Sequence, residues 1–354
     1  MSDSPASLGE FEVRAERKIP PAQWDWVVGA AESGRTYRKN LEQFRDFQLR
    51  PKVLAGIEAP RLSTDFLGRN VESPILAAPM GHLTQFHQEG ELAVMKACRS
   101  TGTHCVVSMH TRRSLELLAD DAGAAGWSYQ AYLYSEPEIV ASQIERAVRF
   151  GASSVVLTVD SCHRSPSYQR QTAPWDARKY GIRDEAELPE SRNDRLWTWN
   201  MVDELVRKIP IPVVVKGIQH ADDALRAKQA RCSAVWISNH GGRVNETDQS
   251  LLLELIKTKE AVGGGFPIVI DGGFRSGSDV AKALLLGATH VAIGRPLIYG
   301  MVENGSTGVE SVIKIVNREL ASMLGALGVG DIQEVANHSD QISFLNSHRT
   351  AADE

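Results

Sequence analysis

The sequence predicts an α/β chain folded as one (β/α)8 barrel domain over residues 1–354. To the barrel it adds an N-terminal helical extension over residues 1–72 and a lid over 163–200, after the fourth strand. Three observations predict it. Eight short apolar runs recur between residues 73 and 300, stretches of helix length separate them, and nearly every run carries a polar or charged residue close to its C-terminal end. Strand and helix alternating eight times is the arithmetic of a closed barrel. A doubly wound open sheet would need a glycine-rich phosphate turn near the first strand and a switch in strand order, and the sequence presents neither.

The runs cover 74–78, 105–109, 127–133, 154–159, 212–216, 234–238, 267–271 and 290–294. Most are rich in Val and Ile without the alternation of a half-exposed strand, as expected of parallel strands buried on both faces. Between them, amphipathic stretches at 89–100, 138–150 and 278–286 end at Gly102, Gly151 and Gly287, where a helix C-terminus favours a left-handed residue. At Arg231-Cys232 that glycine is missing, a departure worth about 1 kcal/mol if the position is left-handed. A helix is expected over 21–32, started by its prolines. The 163–200 connection carries Trp175, Tyr180, Trp197 and Trp199 and has the length of a lid or substrate-selective element. A flexible polar tail is expected over 336–354.

Of the 354 residues, 42% are hydrophobic, enough for a large core, and the net charge of -5 offers no basic field to nucleic acid or an anionic membrane. No run reaches the ~18 apolar residues of a membrane span, and the N-terminus has no apolar signal region. Cys98, Cys105, Cys162 and Cys232 show neither CxxC spacing nor metal-ligand rhythm, which suits a reducing compartment. A cytoplasmic protein acting on a small molecule, without a metal, is expected.

Catalytic groups of barrels sit where strands end in βα-loops. Those ends read Pro79-Met80-Gly81, Ser108-Met109-His110, Gln130 with Tyr132, Thr158 with Asp160, and Lys216-Gly217. The last three read Ser238-Asn239-His240-Gly241-Gly242-Arg243, Asp271-Gly272-Gly273-Phe274-Arg275 and Gly294-Arg295-Pro296. Taken singly, each is as readily a strand cap or solvated loop residue as a functional group; together they describe one rim. The seventh and eighth ends suit a phosphate, with Gly272 and Gly273 for close backbone approach, Arg275 and Arg295 for charge, and Ser278 to cap the next helix. His240 is the candidate base, with Asp160 to stabilise an imidazolium and Arg243 to hold a carboxylate.

These motifs resemble the FMN-dependent 2-hydroxy-acid oxidase and dehydrogenase family. The most specific are Leu157-Thr158-Val159-Asp160, Val215-Lys216-Gly217, the Ser238–Arg243 and Asp271–Arg275 stretches, Lys282-Ala283-Leu284-Leu285-Leu286-Gly287-Ala288 and Ile293-Gly294-Arg295-Pro296. The resemblance runs from about Pro20 to about Gly328. It implies FMN across the barrel mouth, its phosphate near Gly273, Arg275, Gly294 and Arg295, and Pro79, Met80 and Gly81 beside the ring. Ser108, Gln130 and Thr158 would bond the pyrimidine portion, Ser238 and Asp271 would complete the flavin set, and Lys216 would stabilise the reduced anion. His240 would be the base, Asp160 its stabiliser, Arg243 the carboxylate anchor, and Tyr132 a hydrogen-bond partner near the reacting oxygen. Homo-oligomers, often tetramers, are common in the family.

The chain departs from the family pattern at the substrate. Trp26 stands where the family places a tyrosine that helps bind the carboxylate, and an indole donates a hydrogen bond but accepts none. In Ser161-Cys162-His163-Arg164-Ser165-Pro166-Ser167, Ser167 stands where a carboxylate-binding arginine is usual. Arg164, Arg170, His163 and His110 are the candidate replacements. With a lid shorter than usual, these changes point to a non-standard substrate. A non-redox FMN-dependent isomerase needs no Asp160–His240 pair, and a non-catalytic flavin binder needs neither His240 nor Arg243. Both alternatives rank below the oxidase reading.

Overall fold

Eight parallel strands close on themselves at the centre of the computed structural model, which describes residues 5–133, 135–168 and 196–345. They are β1 (Ile75–Ala77), β2 (His104–Ser108), β3 (Trp127–Tyr132), β4 (Ser154–Thr158), β5 (Val213–Ile218), β6 (Ala234–Ile237), β7 (Ile268–Ile270) and β8 (His290–Ile293). Each pairs with the next and β8 returns to β1. Every expected run overlaps its strand, and six contain it whole; β2 starts one residue before its run, at His104, and β5 continues two residues beyond its run, to Ile218.

Alternation along the strands divides two cores. Leu76, Val106, Val156, Val214, Trp236, Val269 and Ala292 fill the barrel. Their neighbours Ile75, Ala77, Val107, Val155, Val215, Ile237, Ile270 and Ile293 pack outward against the helices. Both faces are apolar, which is why the runs lack a polar alternation. The same parity carries Ser108, Gln130, Tyr132, Thr158, Lys216 and Ser238 to the inner side at the C-terminal rim.

The helices are α1 (Leu8–Lys18), α2 (Pro21–Val28), α3 (Arg35–Glu42), α4 (Glu91–Thr101), α5 (Leu115–Asp120), α6 (Pro137–Arg149), α7 (Trp199–Val206), α8 (Ala221–Gln229), α9 (Leu251–Val262), α10 (Gly277–Leu286) and α11 (Arg295–Ala326). α4 and α10 end on left-handed Gly102 and Gly287, and Gly151 is left-handed just beyond α6. Arg231 takes the left-handed conformation at φ +61° that its position after α8 implied.

Three expectations are corrected. α2 stops at Val28, because the chain turns at Gly29 toward the rim. Ser276, not Ser278, caps α10, its hydroxyl accepting from the Asp279 N–H at 3.2 Å. The expected flexible tail is held through residue 345. Ile342–Phe344 pairs antiparallel with Phe47–Leu49, and Phe344 packs edge-on to Phe47 at 5.2 Å. Of the expected lid, 169–195, including Trp175 and Tyr180, lies outside the described residues. Trp197 donates its indole N–H to Ser135 O at 2.9 Å.

The barrel floor is closed by a short antiparallel ribbon, Thr64–Phe66 with Arg69–Val71. Its Phe66 ring meets both His104 and His290 edge-on, at 4.7 and 4.9 Å. His104 lies 2.7 Å from Ala125 O and 2.6 Å from Ser128 Oγ, and Ser128 bonds Ser154 in turn. Burial pushes His104 down to about 4, assisted by Arg69 and partly offset by Ala125 O; burial and then His104 push His290 down to about 3. Unfolded histidines titrate near 6.5, so below that pH the unfolded chain binds more protons than the folded one. The stability these neutral imidazoles contribute is therefore complete above about pH 6.5 and lost as pH falls toward their folded values. Urea unfolding of the holoprotein should weaken by up to about 1.4 kcal/mol per pH unit per histidine between pH 6 and 4.5. A double variant, His104→Gln with His290→Gln, should flatten that slope; an unchanged slope would sink the assignment.

Candidate active site

The loop after β6 sets the geometry. Asn239 is followed by three left-handed residues, His240, Gly241 and Gly242, at φ +57°, +64° and +76°. A left-handed non-glycine residue costs on the order of 1–2 kcal/mol, and the surroundings hold His240 there. Its N–H donates to Ser238 Oγ at 3.1 Å, and Asn239 Oδ1 accepts from the Gly242 N–H at 3.1 Å. Asn239 in turn exchanges two amide bonds of 2.8 Å with Asn40 of α3.

His240 Nδ1 stands 3.1 Å from Asp160 Oδ1, and Nε2 stands 3.2 Å from the Tyr132 hydroxyl. Burial would raise the Asp160 carboxyl, but the His240 imidazole, Lys216 and the Ser161 hydroxyl hold it below the ordinary carboxylate value. Burial drives His240 down, with Lys216 and Arg164 adding to the shift and Asp160 opposing it. The resting pair is therefore an ionised carboxylate beside a neutral imidazole. An ionised carboxylate only accepts, so Nδ1 carries the proton and donates to Asp160. Nε2 keeps its lone pair, to which Tyr132 O–H donates. Gly217, at φ +105°, lets Asp160 approach: a Cβ there would lie 2.7 Å from Asp160 Cβ.

Beneath this loop lies a buried polar network. Lys216 Nζ donates to Ser238 Oγ at 3.0 Å, and Ser238 donates to Asp271 Oδ1 at 2.7 Å. Asp271 Oδ2 accepts from the Trp236 indole at 3.0 Å and lies 3.5 Å from Lys216 Nζ. On the other side Ser108 donates to Gln130 Oε1 and Gln130 donates to Thr158 Oγ1, both at 2.9 Å. Ser108, Gln130, Thr158 and Lys216 are all buried. Pro79, Met80 and Gly81 follow β1 along the same rim, and Met80 Sδ lies beside Gly294.

At the seventh and eighth strand ends the arginines have distinct settings. Arg275 bonds Phe274 O at 3.1 Å and sits 3.7 Å from Glu12 Oε2, while its Nη2 is buried with no hydrogen-bond partner among the described residues. Arg295 donates to Val27 O, Gly29 O and Gly241 O and lies over the Tyr37 ring at 4.6 Å. Arg243 likewise donates to Trp26 O at 2.8 Å and to Gly29 O at 3.1 Å, and its guanidinium covers the Trp26 ring at 4.8 Å. Both thus anchor the end of α2 to the rim, a second task the sequence did not disclose. Gly273 also differs from expectation. A Cβ there would fall 1.9 Å from Asn40 O, so this glycine admits α3. Gly273→Ala, left-handed at φ +91° as well, should cost at least about 1–3 kcal/mol and loosen α3 from Asn239. An unaltered melting temperature would contradict that packing.

Arg164 is exposed, and its charge acts on both His240 and His110. Ser167 instead faces α2's exit, where Glu32 pairs with it and donates its N–H to Pro166 O at 2.7 Å. His163 is exposed, and Arg170 lies outside the described residues. Sequence reasoning missed His82 and Asn40. Reading the β1 loop one residue past Gly81 would have found the first, whereas nothing local marks the second.

The sequence profile of the FMN-dependent dehydrogenases matches residues 15–341. The chain belongs to the FMN-dependent dehydrogenase family. Among this family's curated members, a peroxisomal (S)-2-hydroxyacid oxidase of Arabidopsis thaliana is 31% identical over 351 residues, 95% of this chain and 96% of its own. An L-lactate oxidase of Nostoc is 31% identical over 366 residues, 94% of this chain and 97% of its own. Among solved structures, a Pediococcus acidilactici lactate oxidase superposes with TM-score 0.88 at 29% identity, covering 95% of this chain and 94% of its own. A mandelate oxidase does so with TM-score 0.85 at 27% identity, covering 96% and 99%. This family member uses FMN, and its rim suits that cofactor. Buried hydroxyl, amide and ammonium groups gather at the ends of β2 to β5, and an unpartnered guanidinium edge stands after β7. No helix among the described residues is long and apolar enough to cross a membrane.

Proposed function

We propose that the protein oxidises the C–H next to the hydroxyl of a 2-hydroxy acid, giving the 2-oxo acid, with His240 as base. The observation that carries this reading is the Asp160–His240–Tyr132 arrangement, which presents an unprotonated Nε2 to the rim. His240 Nε2 takes the proton from the substrate oxygen, Asp160 stabilises the imidazolium so formed, and Tyr132 O–H turns from Nε2 to the developing carbonyl oxygen. Bound FMN supplies the acceptor for the two reducing equivalents. Ser108, Gln130, Thr158, Lys216, Ser238, Asp271 and the backbone of Pro79–Gly81 would hold its ring, and Arg275, Arg295, Gly273 and Gly294 its phosphate. Arg243 and Arg164 bind the substrate carboxylate, Arg164 taking the task that Ser167 cannot perform, and Trp26 fixes Arg243 by stacking on it.

Anaerobic mixing of the holoprotein with a panel of 2-hydroxy and 2-amino acids tests this. Bleaching of the flavin by 2-hydroxy acids is expected, and Arg164→Leu should weaken their apparent affinity by up to roughly fivefold, the ~1 kcal/mol of an exposed ion pair. Absence of bleaching by any of them would overturn the reading. The same proposal takes 1–354 as one catalytic domain in a cytoplasmic homo-oligomer. Buried thiols at Cys98, Cys105 and Cys232 and exposed apolar side chains at Val53 and Leu54 support it. Light scattering of the purified protein checks the assembly.

A further inference from the structure

The first helix of the N-terminal extension reaches the arginine that follows β7. Arg275 donates from Nη1 to Phe274 O at 3.1 Å, and its Nε stands 3.7 Å from Glu12 Oε2, on α1. The other oxygen of that carboxylate, Oε1, accepts from the Tyr299 hydroxyl of α11 at 3.1 Å. Glu12 thus joins α11 to the arginine, and the docking of α1 along α11 puts it there. Leu8, Phe11 and Ala15 are the buried face of α1, and its Arg14 and Lys18 pair with Glu303 of α11 at 3.4 and 2.6 Å. Trp24, just beyond in α2, packs on the Tyr299 ring at 5.6 Å.

A guanidinium is a planar fork of fixed geometry, so the groups that engage two of its nitrogens decide how the third is presented. With Nε facing Glu12 and Nη1 on Phe274 O, Nη2 is left buried without a hydrogen-bond partner among the described residues. A buried charged donor without an acceptor is costly, and at this strand end a phosphate oxygen would satisfy it. Glu12 also supplies charge. Burial would lower the Arg275 guanidinium, but Tyr299 and Glu12 hold it above its ordinary value. Burial pushes Arg295 down; Tyr37, Tyr299 and Glu12 oppose the shift, and Arg275 adds to it. One carboxylate therefore acts on two buried arginines that repel each other.

We propose that Glu12 is a positioning residue for the cofactor phosphate: it fixes Arg275 so that Nη2 is left to the phosphate, and it couples FMN binding to the docking of α1. The proposal rests on the reading above that Arg275 holds the phosphate, and deepens it. Such coupling is reciprocal. If a docked α1 helps the phosphate to bind, the phosphate in turn holds α1 in place. The flavin ring lies outside this linkage, so a flavin without a phosphate should not engage it.

The holoprotein is equilibrated with graded excesses of riboflavin, which lacks the phosphate, and the two flavins retained are quantified to give the ratio of their affinities. Glu12→Gln keeps an acceptor for Tyr299 and removes the charge. It should lower the FMN-to-riboflavin ratio about threefold, the size of a partly exposed ion pair. A purely structural loss would weaken both flavins alike and leave the ratio unchanged. Hydrogen exchange of the amides of residues 8–18 should be slower with FMN bound than with riboflavin, and Glu12→Gln should remove that difference. If Glu12→Gln fails to fold, Tyr299→Phe, which removes the hydroxyl that donates to Glu12, should shift the ratio in the same direction. An unchanged or raised ratio, or equal exchange with both flavins in the native protein, would overturn the proposal. Arg275→Gln separates it from the reading beneath it. A ratio lowered by Arg275→Gln but untouched by Glu12→Gln removes the role of Glu12 alone. A ratio that Arg275→Gln leaves unchanged removes the phosphate assignment, and the proposal with it.

Discussion

Replacing His240 with glutamine is expected to leave FMN bound and to slow its reduction by substrate by about 10²- to 10⁴-fold, the range a positioned general base contributes. Glutamine takes the left-handed backbone of position 240 less readily than histidine, but the Ser238 and Asn239 bonds that hold the loop use the backbone and remain. What is lost is the Nε2 lone pair. Stopped-flow absorbance measures the effect, and a variant reducing flavin at the native rate would remove His240 from the base role. The pH dependence has a defined sign. The base must be neutral, and burial holds His240 below its ordinary value, so kcat/KM should be retained down to below pH 6.5 and lost as pH falls through the folded value. Asp160→Asn removes the group that opposes the shift. It should slow reduction and move the acid limb further down.

The second large effect is expected in the network beneath the loop. Asp271→Ala strips Lys216 of its carboxylate 3.5 Å away and leaves the Trp236 indole and the Ser238 hydroxyl without their acceptor. Lys216 and Asp271 are both buried, at 4% and 9% exposure. Breaking such a pair from one side costs on the order of 3–5 kcal/mol, because the surviving charge stays buried. Chemical denaturation should show that loss, together with weaker retention of FMN. A double-mutant cycle with Lys216→Met separates the coupling from the single costs. Strictly additive losses would mean that the two side chains do not act as a pair. Ser238 links the network to the base, since it also accepts the His240 N–H. Loosening Asp271 should therefore slow flavin reduction as well.

Sequence and structure divide the evidence along a physical line. The eight strands were legible because buried parallel strands need uninterrupted Val and Ile, and that demand is local. The helix ends at Gly102, Gly151 and Gly287 were legible because a left-handed residue is a local backbone requirement, one that even Arg231 meets in glycine's absence. The rim residues followed from chain direction, since every strand of a parallel barrel delivers its C-terminal end to one face.

Contacts between segments far apart in the chain were not legible. Asn40 grips Asn239 across 199 positions, and Arg243 and Arg295 hold the end of α2 across more than 200. No pattern of spacing encodes such pairs. The tail through residue 345 looked like a polar end because its strand partner lies near residue 47. The sequence by itself determined the barrel, the FMN-dependent family and the set of residues gathered at the rim. Only the tertiary structure decided that His240 pairs with Asp160 and Tyr132, that the charge of Arg164 reaches it, and that His110 and His82 stand beyond Tyr132. Protonation and charge in a buried site depend on what encloses a group, and that enclosure comes from residues distant in sequence.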